Sequence, residues 1–100
     1  MDKGWDRMDV QTVTSALSHQ FGLPETELIR KSLLAFIEKE IRLAELEIAN
    51  IRERYTVFSK EELYTAIQEG TTVEHPAWED YIIWKNKLAH IDYLRHLATE

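Results

Sequence analysis

The sequence has no cysteine, and this absence excludes several kinds of chemistry. Without a thiol the chain forms no disulfide, offers no thiolate ligand to a metal and has no cysteine nucleophile. Only three glycines and two prolines occur in 100 residues, which leaves little room for loops. Because 44% of the residues are hydrophobic and 30% are charged, the composition predicts a folded, helix-rich protein. A chain of this length usually makes a single domain.

Long apolar runs and an excess of basic charge are also missing. No run approaches the ~18 apolar residues of a membrane span, and the first ten residues, MDKGWDRMDV, contain no apolar signal core. We therefore expect a soluble, cytoplasmic protein without a membrane partner. The net charge of −6 argues against binding of a phosphate backbone by bulk electrostatics and favours a basic protein partner.

The spacing of apolar residues predicts an all-α fold with a long central helix. Residues 1–9 show no apolar face and are expected to form a flexible tail. Apolar residues spaced by four predict a helix over 10–21 that ends at Gly22, and Pro24 lies in the first turn of the next helix. The long stretch without Gly or Pro that follows predicts one helix over about 25–54.

Apolar residues of the long helix recur at alternating steps of three and four, which is the seam of a left-handed coiled coil. We expect residues 10–54 to form a dimerisation region in which this seam pairs with a second chain. The alternative is that the two later helices fold back over the seam within one chain. The seam residues assigned to dimerisation are Leu34, Ile37, Ile41, Ala44, Ile48 and Ile51. A second apolar stripe beside the seam consists of Leu33, Phe36, Leu43 and Leu46.

Two further helices are predicted from their start signals. The tetrapeptide SKEE is a capping box, in which Ser59 and Glu62 bond each other's backbone amides, and it starts a short helix over 60–69. The His-Pro step at 75–76 fits the cap and first position of a last helix over 76–97. Together with the preceding helices, these two complete a fold of one short N-terminal helix, one long central helix and two C-terminal helices.

The sequence offers no set of residues for catalysis or for a metal. Among the four histidines, His96 with Asp92 comes closest to a metal-ligand pair, and this pair is typical of an ion pair at a helix end. The adjacent carboxylates Glu79 and Asp80 point to different helix faces and do not form an acid-base dyad. No phosphate-binding Gly-rich loop or HExxH motif is present. We expect no enzymatic activity, no metal and no cofactor.

The last helix carries two tryptophans that differ in their predicted surroundings. Trp78 and Trp84 are six residues apart and lie roughly on opposite sides of the helix, so they cannot both face one core. One interpretation is that one is buried and the other is partly exposed. The other is that one anchors a partner protein, because Trp and Tyr are frequent at interface hot spots. The sequence leaves both interpretations open.

Residues 16–40, ALSHQFGLPETELIRKSLLAFIEKE, resemble the helical part of ribbon-helix-helix proteins. The matching residues are Gly22, Leu23, Glu27, Leu28, Ile29 and Arg30. The resemblance implies a dimeric transcriptional regulator that contacts DNA. Residues 1–9 do not have the basic amphipathic strand with which that family reads the major groove.

Residues 45–97 resemble small prokaryotic antitoxin-like proteins. The likeness rests on a long helix ending in RERY, then SKEEL, an EG turn and HPAWEDYIIW. It is carried by Arg54, Tyr55, Ser59, Glu62, Leu63, Gly70, Trp78, Glu79 and Trp84. The resemblance implies a protein that dimerises through its N-terminal part and neutralises a toxin through its C-terminal part.

The sequence therefore predicts an antitoxin-like binding protein that neutralises a small basic toxin, with residues 55–100 as the partner-binding region. Alternatives are a regulator related to ribbon-helix-helix proteins, with DNA as its partner, and a structural helical oligomer. The side chains expected to bind the partner are aromatic anchors and carboxylates, namely Tyr55, Trp78, Glu79, Asp80, Tyr81 and Trp84.

Overall fold

The structure, a computed structural model, describes residues 7–72 and 74–99. Over these ranges the chain forms four α-helices and no strand. The predicted all-α fold, with its long second helix and two shorter C-terminal elements, is confirmed. Most of the predicted N-terminal tail, residues 1–6, lies outside the described residues. The helices are α1 (Val10–Phe21), α2 (Glu25–Tyr55), α3 (Lys60–Gln68) and α4 (Glu74–Ala98).

Capping residues next to α1 determine where this helix begins and ends. The Asp9 side chain accepts hydrogen bonds from the backbone N–H of Gln11 at 3.2 Å and from the Thr12 hydroxyl at 2.6 Å. The bond from Thr12 is the main reason that the pKa of Asp9 is lowered. Gly22 ends the helix with φ 65° and ψ 32°, the left-handed conformation predicted for it. α2 begins directly after Pro24, whose carbonyl accepts from the N–H of Leu28 at 3.0 Å.

The cap of α3 differs from the prediction in one bond. Ser59 accepts from the N–H of Glu62 at 3.1 Å, as the capping box requires. The Glu62 carboxylate, however, accepts from the N–H of Phe58 at 2.7 Å and not from that of Ser59. The Glu62 carboxylate therefore links the first turn of α3 to Phe58, the residue before the Ser59 cap. Beyond the helix, Gly70 has φ 71°.

The last helix starts as the His-Pro step indicates. Within α4, His75 has extended angles of φ −104° and ψ 129°, so regular helix follows from Pro76. The peptide bond between His75 and Pro76 is cis. Arg95 and His96 lie in the last turn, where positive charge complements the helix dipole.

The chain divides into two compact units, and the boundary falls within α2. The N-terminal unit is Met1–Phe36 and the C-terminal unit is Ile37–Glu100. This division describes packing. The predicted division at 54/55 describes function and stays a prediction.

The C-terminal unit has a core built from α2, α3 and α4, and α3 packs against α4. Three residues that we assigned to the dimer seam, Ala44, Ile48 and Ile51, are buried in this core, and Ile41 packs against it. The later helices therefore fold back over this part of the seam, which was the alternative expectation. The core cluster consists of Ala44, Ile48, Ile51, Leu63, Ala77, Trp84 and Ile91.

The remaining seam residues, Leu34 and Ile37, are half-buried. The N-terminal unit contrasts with this core, because none of the residues 7–36 is buried. Within that unit, the hydroxyl of Ser15 in α1 donates to the carboxylate of Glu25 in α2 at 3.1 Å. Among the described residues, no helix has the length and apolar character needed to cross a membrane.

Candidate functional site

Trp84 belongs to the core and not to a surface that a partner could reach. Only 1% of Trp84 is exposed, and its ring packs among the core residues of the C-terminal unit. The guanidinium of Arg52 lies 5.5 Å from its ring centroid, at the distance of a cation–π contact. The same guanidinium donates from Nε to the carbonyl of Phe58 at 3.2 Å. Trp84 therefore holds the end of α2 against α4, and we correct its assignment as an anchor.

Two other predicted partner-binding residues, Tyr55 and Asp80, also make their contacts inside the fold. Asp80 is 8% exposed, and its Oδ2 accepts from Nη1 of Arg54 at 2.6 Å and from the Tyr55 hydroxyl at 2.5 Å. Because the carboxylate is buried and its Oδ2 already accepts from two donors, it offers little to a partner. The three residues connect the C-terminal end of α2 to the first turns of α4. We call this set the Asp80 tie.

The Asp80 tie changes the acidity of its donors. The hydrogen bond and the charge of Asp80 raise the pKa of Arg54. Burial raises the pKa of Tyr55, and the hydrogen bond to the Asp80 carboxylate raises it further, because removing the phenol proton would place two negative oxygens together. Tyr55 therefore remains a hydrogen-bond donor throughout the physiological pH range.

Three aromatic rings from α3 and α4 meet at the surface of the C-terminal unit. Trp78 stacks on Tyr81 with centroids 5.3 Å apart and an interplanar angle of 13°. Tyr64 lies 6.0 Å from Trp78 and 5.5 Å from Tyr81, tilted to both. Trp78 is 38% exposed and Tyr64 is 40% exposed, whereas Tyr81 is half-buried. We call Tyr64, Trp78 and Tyr81 the aromatic cluster.

Sequence reasoning found two members of the aromatic cluster and missed Tyr64. Trp78 and Tyr81 are three residues apart in α4, a spacing that makes side chains neighbours on the helix surface. The position of Tyr64 depends on how α3 is oriented against α4. Leu63, the preceding residue, is fully buried, and helix geometry places the Tyr64 side chain about 100° further round the helix. The pairing of the two helices, which no local signal encodes, brings the third ring to the cluster.

Acidic charge is concentrated in the segment that carries the aromatic cluster. Residues 60–81, the acidic segment, contain six Asp or Glu and one Lys, a net charge of −5 in a chain whose total is −6. Some of these carboxylates are used locally, since Glu61 pairs with Lys60 and Glu62 accepts from Phe58. Glu79 lies 3.2 Å from Nδ1 of His75 and remains exposed.

An open groove of about 310 Å³ runs along α3, the helix that also carries Tyr64 of the aromatic cluster. Three carboxylates line it, and no basic side chain does. Such a groove suits a cationic side chain better than an anion or a neutral ring. Its lining residues are Glu61, Glu62, Thr65, Ala66, Glu69 and Thr71.

Metal chemistry has no set of ligands in residues 7–72 and 74–99. No group of three or more His, Cys, Asp or Glu side chains in these ranges could hold a metal ion. The carboxylate of Glu79 faces one imidazole, that of His75, which makes an ion pair when the histidine is protonated.

The fold and this surface define a small all-helical protein with an exposed, acidic aromatic surface. Residues 8–100 match the family model described as the Uncharacterized protein MJ0235 family, and the chain belongs to this family. No curated protein and no solved structure matches the chain.

Proposed function

We propose that this chain is an antitoxin-like binding protein that masks a small basic toxin in the cytoplasm. The observation that carries the proposal is the coincidence of the exposed aromatic cluster with the acidic segment. Exposed aromatic residues supply binding energy, and a surrounding excess of carboxylates selects a basic partner and accelerates its encounter. The role is one of binding by protein contact, without catalysis by this chain.

The rings of the aromatic cluster are suited to anchor an arginine or an apolar side chain. Their mutual contacts hold them in place before binding, which lowers the entropy lost when a partner docks. A guanidinium that stacks on Trp78 or Tyr64 would gain a cation–π contact there. Carboxylates of the same segment, Glu69 and Glu79, would accept charge-assisted hydrogen bonds from further basic side chains.

The proposed roles differ from those predicted from the sequence. Trp78, Tyr81 and Glu79 keep the role of partner contacts, and Tyr64 joins them. Asp80 and Tyr55 position the start of α4.

Capture of the partner from the native host tests the proposal. Tagged wild-type chain should co-purify at moderate salt with a small basic protein in fixed stoichiometry, identified by mass. Trp78→Ala should reduce the captured amount by at least about tenfold, since it removes an interface anchor. Tyr93→Ala is the matched control, because Tyr93 is also an exposed aromatic residue of α4 but lies outside the aromatic cluster.

Neutralisation requires a second readout. The captured protein, expressed alone, should arrest growth, and co-expression of the wild-type chain should restore it while Trp78→Ala should not. A companion that is acidic, that binds Trp78→Ala as well as wild type, or that leaves growth unaffected would contradict the antitoxin-like function.

A second candidate is a DNA-binding regulator, and the turn between α1 and α2 favours it. Gly22 adopts the left-handed conformation between the two helices of the segment that resembles ribbon-helix-helix proteins. This candidate predicts retention on duplex DNA with an affinity that falls steeply with salt concentration. Absence of retention at low salt would reject it.

A further inference from the structure

The N-terminal unit exposes an apolar face that both of its helices share. The spacing Val10, Leu17, Phe21 follows one side of α1, and Ile29 with Leu33 follows one side of α2. Most of these side chains line one groove of about 310 Å³. Their exposed fractions range from 39% to 67%. We call this set, completed by Met8, the N-terminal apolar face.

This unit is too small to bury these residues by itself. Units of fewer than about 40 residues usually need a disulfide, a metal or association to reach stability. The chain has no cysteine for a disulfide, the described residues contain no group of three or more His, Asp or Glu that could hold a metal, and no residue of α1 is buried. Association with another chain is the remaining way for these two helices to bury their apolar residues.

The charge of the N-terminal unit favours a second copy over a basic partner. Residues 1–36 carry four Lys or Arg and five Asp or Glu, a net charge of −1, whereas residues 37–100 carry eight and thirteen, a net charge of −5. Glu27 lies 3.9 Å from both Arg30 and Lys31, so its charge is compensated within one helix. Two copies can therefore meet at this face with little like-charge repulsion.

The size of the face also suits a dimer. Half-exposed aliphatic and aromatic side chains of this number offer on the order of 500 Å² of apolar surface per copy. Two copies would then bury on the order of 1,000 Å², the smallest total expected of a specific interface. From area and charge together we infer that the N-terminal apolar face binds the same face of a second copy of this chain.

The mass of the untagged chain in solution is the first test. Sedimentation equilibrium across the micromolar range should give the mass of two chains. Leu33→Glu should raise the dissociation constant of the dimer at least about tenfold, because it places a charge in an apolar contact. Leu46→Glu is the matched control, since the two leucines lie on the same helix and are 59% and 58% exposed, but Leu46 belongs to the C-terminal unit.

Three results would overturn the inference. A monomeric wild-type chain would do so without any variant. Equal dissociation by Leu33→Glu and Leu46→Glu would assign the contact to the apolar stripe of α2 that these two leucines share, and not to the face that α2 forms with α1. Phe21→Glu, on α1, provides a second variant in case Leu33→Glu loses helicity by circular dichroism, and an undisturbed dimer in a helical Phe21→Glu chain would also contradict the inference.

The inferred dimer and the proposed binding of a basic partner can be tested independently of each other. Trp78→Ala should leave the mass of two chains unchanged, because Trp78 lies outside the N-terminal apolar face. Loss of partner capture in a chain that remains dimeric would thus concern the aromatic cluster alone.

Discussion

At the scale of single residues, Trp78 and Trp84 show what helix periodicity determines and what it leaves open. Their spacing predicts that one faces a core and the other does not. Which of the two is buried depends on the side of α4 that meets α2 and α3, and this is decided by packing among three elements. Helix periodicity also does not predict the partners of Asp80, because Arg54 and Tyr55 lie 26 and 25 residues away in sequence.

The two tryptophans should respond differently to truncation. Trp84→Ala removes the largest side chain of the core and should lower the free energy of unfolding by about 3 to 5 kcal/mol. Trp78→Ala loses ring contacts at the surface and should cost about 1 kcal/mol. Urea denaturation followed by circular dichroism measures both. Equal losses would show that Trp78 is as much a part of the core as Trp84.

Tyr55 should ionise at higher pH than an exposed tyrosine. Since its pKa is raised in the folded state, the stability that it contributes is complete below its ordinary pKa of about 10. This stability is lost as pH rises through the raised value of the folded state. Titration followed by the ultraviolet absorbance of tyrosinate should show a late component that disappears in Tyr55→Phe.

Tyr93→Phe is the control for this titration, because Tyr93 is exposed. It should leave the late component in place. A late component that persists in Tyr55→Phe would assign the raised pKa to another tyrosine.

At the scale of helices, caps and spacing predict where each element lies, and they do so within about two residues. Asp9 caps the start of α1, Gly22 caps its end, and the SKEE box starts α3. These caps involve only residues that are neighbours in sequence. The partner of the α2 seam could not be predicted in this way. Burial of Ile48 or Ile51 stabilises a fold by the same amount whether the covering helix belongs to the same chain or to another.

The short helix α3 should depend on one buried side chain. At nine residues it is shorter than the roughly 12 to 15 residues that an isolated helix needs in water, so packing must hold it. Leu63→Ala should cost about 2 to 5 kcal/mol and increase hydrogen exchange over 60–68. Leu46→Ala, at an exposed leucine of α2, should stay within about 0.5 kcal/mol of wild type. Unchanged exchange in α3 would show that Leu63 is not its anchor.

At the scale of the whole molecule, charge is distributed unevenly along the chain. The net charge of −6 was visible in the composition, and it predicted a basic partner without indicating where that partner binds. The proposed function places that partner at the acidic segment, because this segment also carries the aromatic cluster. Tyr64 reaches that cluster only through the packing of α3 on α4, so the complete surface could not be deduced from local pattern.

Capture of the proposed partner should depend on where charge is reversed. Glu69→Lys combined with Glu74→Lys should weaken capture at least about tenfold and flatten its salt dependence, because both acids lie in the acidic segment. Glu38→Lys combined with Glu40→Lys changes the net charge of the chain equally and should leave capture within about twofold of wild type. Equal effects of the two pairs would indicate attraction by net charge alone.

The Asp80 tie closes a loop in which all of α3 is contained. The entropic cost of bringing Arg54 and Asp80 together grows only with the logarithm of the length of the connecting chain, and doubling the loop costs about 0.6 kcal/mol. The turn after Gly70 should therefore accept inserted residues, such as a peptide tag or a fluorophore site, while the ends of the loop stay in place. A family of such chains could vary in length at this turn and retain the same helical frame.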